Sequence, residues 1–133
     1  MIGNSIIDQT EEHKFLGVTL DDRLTFAKHC INLKSKMSRN VGVIRRCSYL
    51  LPYNVLRSLH YSFVISHMSY AITAYGYAQS NATRKISNLV DKSIRIFSGV
   101  ERLTFNTYRD QKILSFSQTV EYFTAIKMYQ IIK

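Results

Sequence analysis

The sequence contains no tryptophan, one proline, two cysteines and five glycines in 133 residues. A single proline and so few glycines argue against a turn-dense β sandwich or barrel. Two cysteines cannot build a secreted-type disulfide framework. On one helix, where the spacing described below puts them, Cys30 and Cys47 lie ~25 Å apart, beyond disulfide reach. The expectation is an intracellular chain with free thiols. A long apolar run is also missing. The longest stretch without a formal charge covers residues 58–83, yet 12 of its 26 residues are Ser, Thr, His, Gly, Gln or Asn and no apolar run exceeds three. That texture belongs to a buried globular helix and not to a membrane span, so no membrane partner is expected. Residues 1–4 lack the basic, apolar, small-residue order of a signal peptide.

Acidic residues are absent from the middle of the chain. All nine lie at positions 8–22 or 91–121, whereas positions 23–90 hold ten Lys and Arg and no acid, in a chain of net charge +9. Such a surface attracts phosphate backbones or other polyanions. What remains is ordinary: 46% hydrophobic and 20% charged residues, as in one compact domain with one core.

The apolar pattern predicts a mainly α fold, with an N-terminal β-hairpin followed by a three- to four-helix bundle. Residues 4–9 and 13–20 read as two β-rich strands, ended by the turn-prone pair Asp21-Asp22. Two isolated strands are marginal in water, which suggests a remnant of a larger sheet and hence a fragment. From Thr25, a plausible N-cap, the residues Phe26, Cys30, Leu33, Met37, Val41, Ile44 and Cys47 recur at three and four and define one helical face. Pro52 opens a second helix expected to reach about Ala78. Ile86, Leu89, Val90, Ile94 and Phe97 mark a third helix, stopped by Gly99. After a connection over 104–109, a fourth runs from Ser117 to the end, with Val120, Phe123, Ile126, Met128, Tyr129 and Ile132 as core candidates.

On the first helix Lys28, Arg39 and Arg46 fall within roughly 20° of one another, opposite the Cys30, Met37, Ile44 stripe. A polar face of one sign lacks the Glu–Lys pairs that usually decorate a solvated helix. The bland alternative is a face kept soluble by its charge. With no compensating acid over 68 residues, phosphate contact is the favoured reading.

Residues 13–29, HKFLGVTLDDRLTFAKH, carry a resemblance. They resemble the end of the palm in reverse transcriptases (RNA-directed DNA polymerases) of non-LTR, jockey-like retrotransposons. There a Lys-aromatic-Leu-Gly-Val strand precedes an Asp, then Leu-Thr-aromatic and a His. The likeness continues through Lys34-Ser35-Lys36, residues 42–46 (GVIRR), Leu50-Leu51-Pro52 and residues 59–70, and more weakly through 91–97. Tyr75-Gly76 stands where the family has Trp-Gly. The resemblance implies a division at residue 24: residues 1–24 as the end of the palm, and residues 25–133 as a helical thumb and following helices. It implies that Phe15, Leu16 and Gly17 match the primer grip, where backbone approaches the primer terminus. It also implies that the family's catalytic aspartates lie upstream, so that this chain carries no catalytic or metal-binding residue and Mg²⁺ belongs only to the intact polymerase. The expected partners are the RNA/DNA template–primer duplex and the remainder of the polymerase, palm and fingers. The expected setting is intracellular, in the nucleus or a cytoplasmic ribonucleoprotein. Lys28, Lys36, Arg39, Arg45 and Arg46 are the expected backbone contacts. The competing expectation is a non-catalytic helical protein-interaction domain whose positive charge only aids solubility.

Other constellations carry less. Adjacent aspartates can hold catalytic metal ions, but Asp21-Asp22 sits between a strand and a helix, where Asp is favoured as a turn and helix-start residue. His13, His29, His60 and His67 with Cys30 and Cys47 show no zinc-ligand spacing. Five scattered glycines form no phosphate loop.

Overall fold

The structure, a computed structural model, describes residue 3 and residues 6–133. Strands β1 (Glu12–Phe15) and β2 (Val18–Asp21) form an antiparallel hairpin in the register Glu12↔Asp21, His13↔Leu20, Lys14↔Thr19 and Phe15↔Val18. The hairpin is therefore shorter and later than the sequence suggests. Asn4 and Ser5 lie outside the described residues, and residues 6–9 belong to no strand. The run 13–20, read as one strand, folds back on itself. Leu16 and Gly17 both have positive φ, 48° and 83°. This is the two-residue turn whose twist matches that of the flanking strands. Leu16 is an uncommon occupant of that conformation, and its carbonyl is held by the Tyr70 hydroxyl.

Helix α1 (Ala27–Cys47) begins through an unusual corner. Leu24 and Phe26 have φ of 53° and 57°. The Asp21 carboxylate stabilises this corner by accepting from the Thr25 backbone N–H at 2.6 Å, the Phe26 N–H at 3.4 Å and the Thr25 hydroxyl. Thr25, expected as the cap, contributes its Oγ1 to the Ala27 N–H at 3.3 Å, while Phe26 occupies the capping position. Asp21 thus serves the helix start, and the Thr25 hydroxyl, above its other hydrogen bonds, holds its pKa below the ordinary value. The predicted stripe is buried at Cys30, Leu33, Met37, Val41 and Ile44, and half-buried at Phe26 and Cys47. Each fully buried side chain of this kind contributes roughly 1.5–3 kcal/mol.

Pro52 precedes α2 (Tyr53–His60), which continues through a wide π-helical turn (Tyr61–Ile65) into α3 (Ser66–Ser69). Within that turn the Phe63 carbonyl accepts from the Asn40 side chain of α1 at 2.8 Å. The expected helix to Ala78 is interrupted. Tyr70 is extended and Ala71 left-handed, φ 55°, before α4 (Ile72–Tyr75). The interruption lets the fully buried Tyr75 donate its hydroxyl to the Met68 carbonyl. Next come α5 (Ser80–Ser98), stopped as expected by left-handed Gly99, then α6 (Phe105–Gln111) and α7 (Phe116–Ile132). Residues 104–109, expected as a connection, instead open α6 with a Thr104–Thr107 capping box.

Helices α1 and α5 form the centre, with α2 and the π turn against both and α7 on α4 and α5. Gly76 permits the last approach. A Cβ there would lie 2.5 Å from the Ile72 carbonyl and 2.8 and 2.9 Å from the Val120 methyls. Only the first half of α7 is covered: Phe116, Thr119 and Val120 are buried, whereas the core candidates Met128, Tyr129 and Ile132 are exposed. His60, fully buried, bonds Ser93 Oγ at 2.8 Å. Burial, and then the nearby Arg57 charge, push its pKa down to about 4, so it is a neutral core residue.

Candidate nucleic-acid interface

Alternation along the hairpin sorts its side chains. Lys14 and Thr19 share one face with Glu12 and Asp21, while Phe15, Val18 and Leu20 share the other with His13. Each face closes a different cleft. The polar face meets Asn32, Leu33 and Lys36 of α1 and Ser66 and His67 of α3 around a cleft of about 430 Å³, into which Gly17, His29 and Tyr70 also project. Among the described residues no acidic side chain lines it. The apolar face, with Leu16, meets Phe26, Ile72, Phe123 and Lys127 around a groove of about 460 Å³.

The polar cleft has the chemistry of an anion site. Lys14 enters it from the hairpin and Lys36 from α1, and Asn32 and Thr19 add donors, while the Ser66 hydroxyl is committed to the Ser62 carbonyl. His29 is buried. Its Nδ1 accepts from the Thr19 backbone N–H at 3.4 Å, which leaves the proton on Nε2, an atom without a partner among the described residues. Burial lowers its pKa, which favours the neutral ring.

The three residues matched to a primer grip are divided by this geometry. Gly17 faces the basic cleft, and only glycine suits its φ of 83°, with the Tyr70 ring 3.4 Å from where a Cβ would stand. Phe15 and Leu16, 59% and 73% exposed, face the apolar groove. The five basic candidates divide as well. Lys28, Arg39 and Arg46 are exposed along one side of α1, a row ~27 Å long at 1.5 Å per residue. Lys36 belongs to the cleft. Arg45 is exposed on another side, in the last turn, where both it and Arg46 also favour the helix dipole. Among the described residues none of the five pairs with an acid; the ion pair found is Arg109–Asp110 at 3.5 Å, on the surface. Sequence reasoning missed Lys14, Asn32, Ser66 and His67, and a hairpin turn placed at Leu16-Gly17 is the signal that would have put Lys14 beside Thr19. Among the described residues no three His, Cys, Asp or Glu side chains gather as metal ligands. No described helix is long and apolar enough to cross a membrane.

This basic surface on a hairpin-plus-helices scaffold belongs to a segment related to mobile-element polymerases. The chain is similar to the RNA-directed DNA polymerase from mobile element jockey of Drosophila melanogaster, 30% identical over 104 residues, covering 74% of this chain and 11% of that protein. It is likewise similar to the jockey polymerase of Drosophila funebris, 33% identical over 104 residues, with coverages of 74% and 11%. A third relative is the probable RNA-directed DNA polymerase from transposon X-element of Drosophila melanogaster, 28% identical over 113 residues, covering 80% and 12%. The chain spans about a tenth of the length of these curated relatives. The resemblance read from residues 13–29 is borne out: the chain is related to the polymerases of jockey-like non-LTR retrotransposons. No protein-family model matches it. No solved structure matches it either.

Proposed function

We propose that this chain is the part of a retrotransposon reverse transcriptase that grips the template–primer duplex, without the carboxylates that perform the chemistry. The observation that supports it most is that the row Lys28, Arg39, Arg46 and the cleft residue Lys36 lie in a stretch, residues 23–90, that contains no acid, with Lys14 of the hairpin added to the cleft. In this reading the row tracks phosphates by charge, positioning the duplex without reading its sequence. The cleft, with Gly17 at its lip, receives a phosphate of the strand whose end is held. Residues 1–24 then act as the last piece of palm and 25–133 as thumb and following helices. Mg²⁺ enters with the palm carboxylates of the intact enzyme. The aspartate nearest the cleft, Asp21, is committed to the start of α1 and does not fit a metal role.

The apolar groove on the other side of the hairpin favours a protein contact there. Phe15, Leu16 and Phe123 suit the remainder of the polymerase, palm and fingers, as partner. That assignment absorbs the interaction-domain reading into one face of the molecule.

Fluorescence anisotropy of an RNA/DNA duplex against salt tests the grip. With ~4–6 phosphates neutralised, log K falls against log salt with a slope of roughly −4 to −5, equally for unrelated sequences. A slope near zero, or no binding in low salt, leaves only the protein-contact reading.

A further inference from the structure

The link between α1 and α2 is a closed turn that holds two apolar side chains outward. The amides of Leu50 and Leu51 both donate to the Cys47 carbonyl at 3.0 Å, and the Ser48 amide and hydroxyl both donate to the Arg45 carbonyl. Pro52 then fixes the exit into α2, while Cys47 and Leu51 lean on the core. Between these anchors Tyr49 and Leu50 are 87% and 85% exposed. Their exposure is imposed by the hydrogen-bonded turn and by its half-buried flanks.

Position and charge indicate what such a tip meets. It follows the last turn of α1 directly, three residues beyond Arg46, where the basic row ends, and that last turn carries both Arg45 and Arg46. The row's ~27 Å is long enough to follow several base pairs of a duplex. A surface of unrelieved positive charge that ends in a projecting phenol ring suits a phosphate-bearing ligand with a flat, unpaired base at that end. Aromatic side chains bind such bases by stacking, with little regard to sequence. An apolar neighbour can act as a wedge against the terminal pair.

We propose that Tyr49 and Leu50 form a stacking wedge at the end of the duplex away from the strand terminus held at the cleft, where the duplex tracked by α1 gives way to single strand, Tyr49 covering the first unpaired base. The inference rests on the duplex-gripping reading above and adds to it a preference for junctions over blunt ends. The wedge contributes no charge, so its contribution is insensitive to salt, unlike that of the row.

The test uses the full chain with two RNA/DNA duplexes of equal length, one blunt and one with a short overhang whose first unpaired base is 2-aminopurine. The junction should bind more tightly and its fluorescence should be quenched. Tyr49→Ala should remove the quenching and weaken junction binding by about fivefold or more. Blunt-duplex affinity, salt slope and melting temperature should stay as they were, because the side chain is exposed. Tyr49→Phe should keep both effects. If Tyr49→Ala leaves junction binding and quenching intact while the row still governs duplex binding, the wedge is refuted and the grip stands. If the unaltered chain binds neither duplex, the grip fails and takes the wedge with it. Sedimentation with phosphatidylserine vesicles that depends on Tyr49 and Leu50, with no quenching, assigns the tip to a lipid surface and overturns the proposal.

Discussion

Two glycines should respond in opposite directions to the same substitution. At Gly42, within α1, a Cβ would meet nothing within 4 Å. Alanine there narrows the unfolded ensemble without native strain, so Gly42→Ala should stabilise by ~0.4–1 kcal/mol. At Gly76 the added carbon meets the Ile72 carbonyl at 2.5 Å and the Val120 methyls at 2.8 and 2.9 Å. The backbone oxygen cannot rotate aside, since it already accepts from the Gly76 N–H at 2.7 Å. The Val120 methyls yield only if α7 moves off α4, and the carbonyl clash within α4 remains even then, an overpacking cost of ~1–3 kcal/mol. For a domain of this length the unfolding entropy is about 0.28 kcal/mol/K, so 1 kcal/mol moves Tm by about 3.6 °C. Gly42→Ala should then melt ~1–4 °C higher and Gly76→Ala ~4–11 °C lower, read by circular dichroism on matched samples. Val120→Ala removes the methyl part of the clash and leaves the carbonyl, so Gly76→Ala with Val120→Ala should cost less than the two single losses added. A Gly76→Ala protein melting at or above the unaltered one would refute the packing of α7 on α4.

Replacing Lys28, Arg39 and Arg46 together by Gln should weaken duplex binding equally for all sequences and lower the salt slope by up to ~3 units, with little change in melting temperature. The matched control is Arg84→Gln, Lys85→Gln, Lys92→Gln on α5, and equal losses from the two triples would show that only total charge matters. Arg57 is unsuited to that control, because it donates to the Gln111 carbonyl at 3.1 Å and lies over the Tyr61 ring. The purified chain should incorporate no deoxynucleotide on primed RNA with Mg²⁺, and incorporation abolished by Asp21→Ala would overturn the non-catalytic reading. Asp21 carries a lowered pKa caused first by the Thr25 hydroxyl, so its stabilisation is present above the ordinary carboxylate value of 3.8 and is lost as pH falls through the folded value. Asp21→Asn should flatten that part of an acid-unfolding curve, and an unchanged acid limb would remove Asp21 from the helix start.

The elements that the sequence revealed are those whose residues are close together in the chain. The stripe from Cys30 to Ile44 and the stop at Gly99 need only local periodicity and one left-handed residue. The hairpin was misplaced because its turn uses Leu16 before Gly17, where Asn or Asp is the usual signal. Helix α6 escaped because it buries none of its residues and its capping box ends in Thr107 in place of Glu or Gln. Met128, Tyr129 and Ile132 misled in the other direction: they follow helical spacing, but no described element covers that end of α7. The charged row was legible on a helical wheel. The cleft was not, since Lys14, Lys36 and His67 arrive from three elements and meet only once the π turn has brought α3 against α1.

Because neighbouring hairpin residues look in opposite directions, the two clefts can change independently of one another. Substitutions at Lys14 or Thr19 alter the basic side alone, and substitutions at Phe15, Val18 or Leu20 alter the apolar side alone. A point change can therefore retune one surface while its reverse stays intact. An insertion or deletion of one residue within a strand has no such freedom. Within β1 it would turn Lys14 toward Phe26 and Ile72 and Phe15 toward Lys36, disturbing both surfaces at once. Outside Gly17 and Asp21, the tolerance of this segment should accordingly be wider for substitutions than for single-residue changes in strand length.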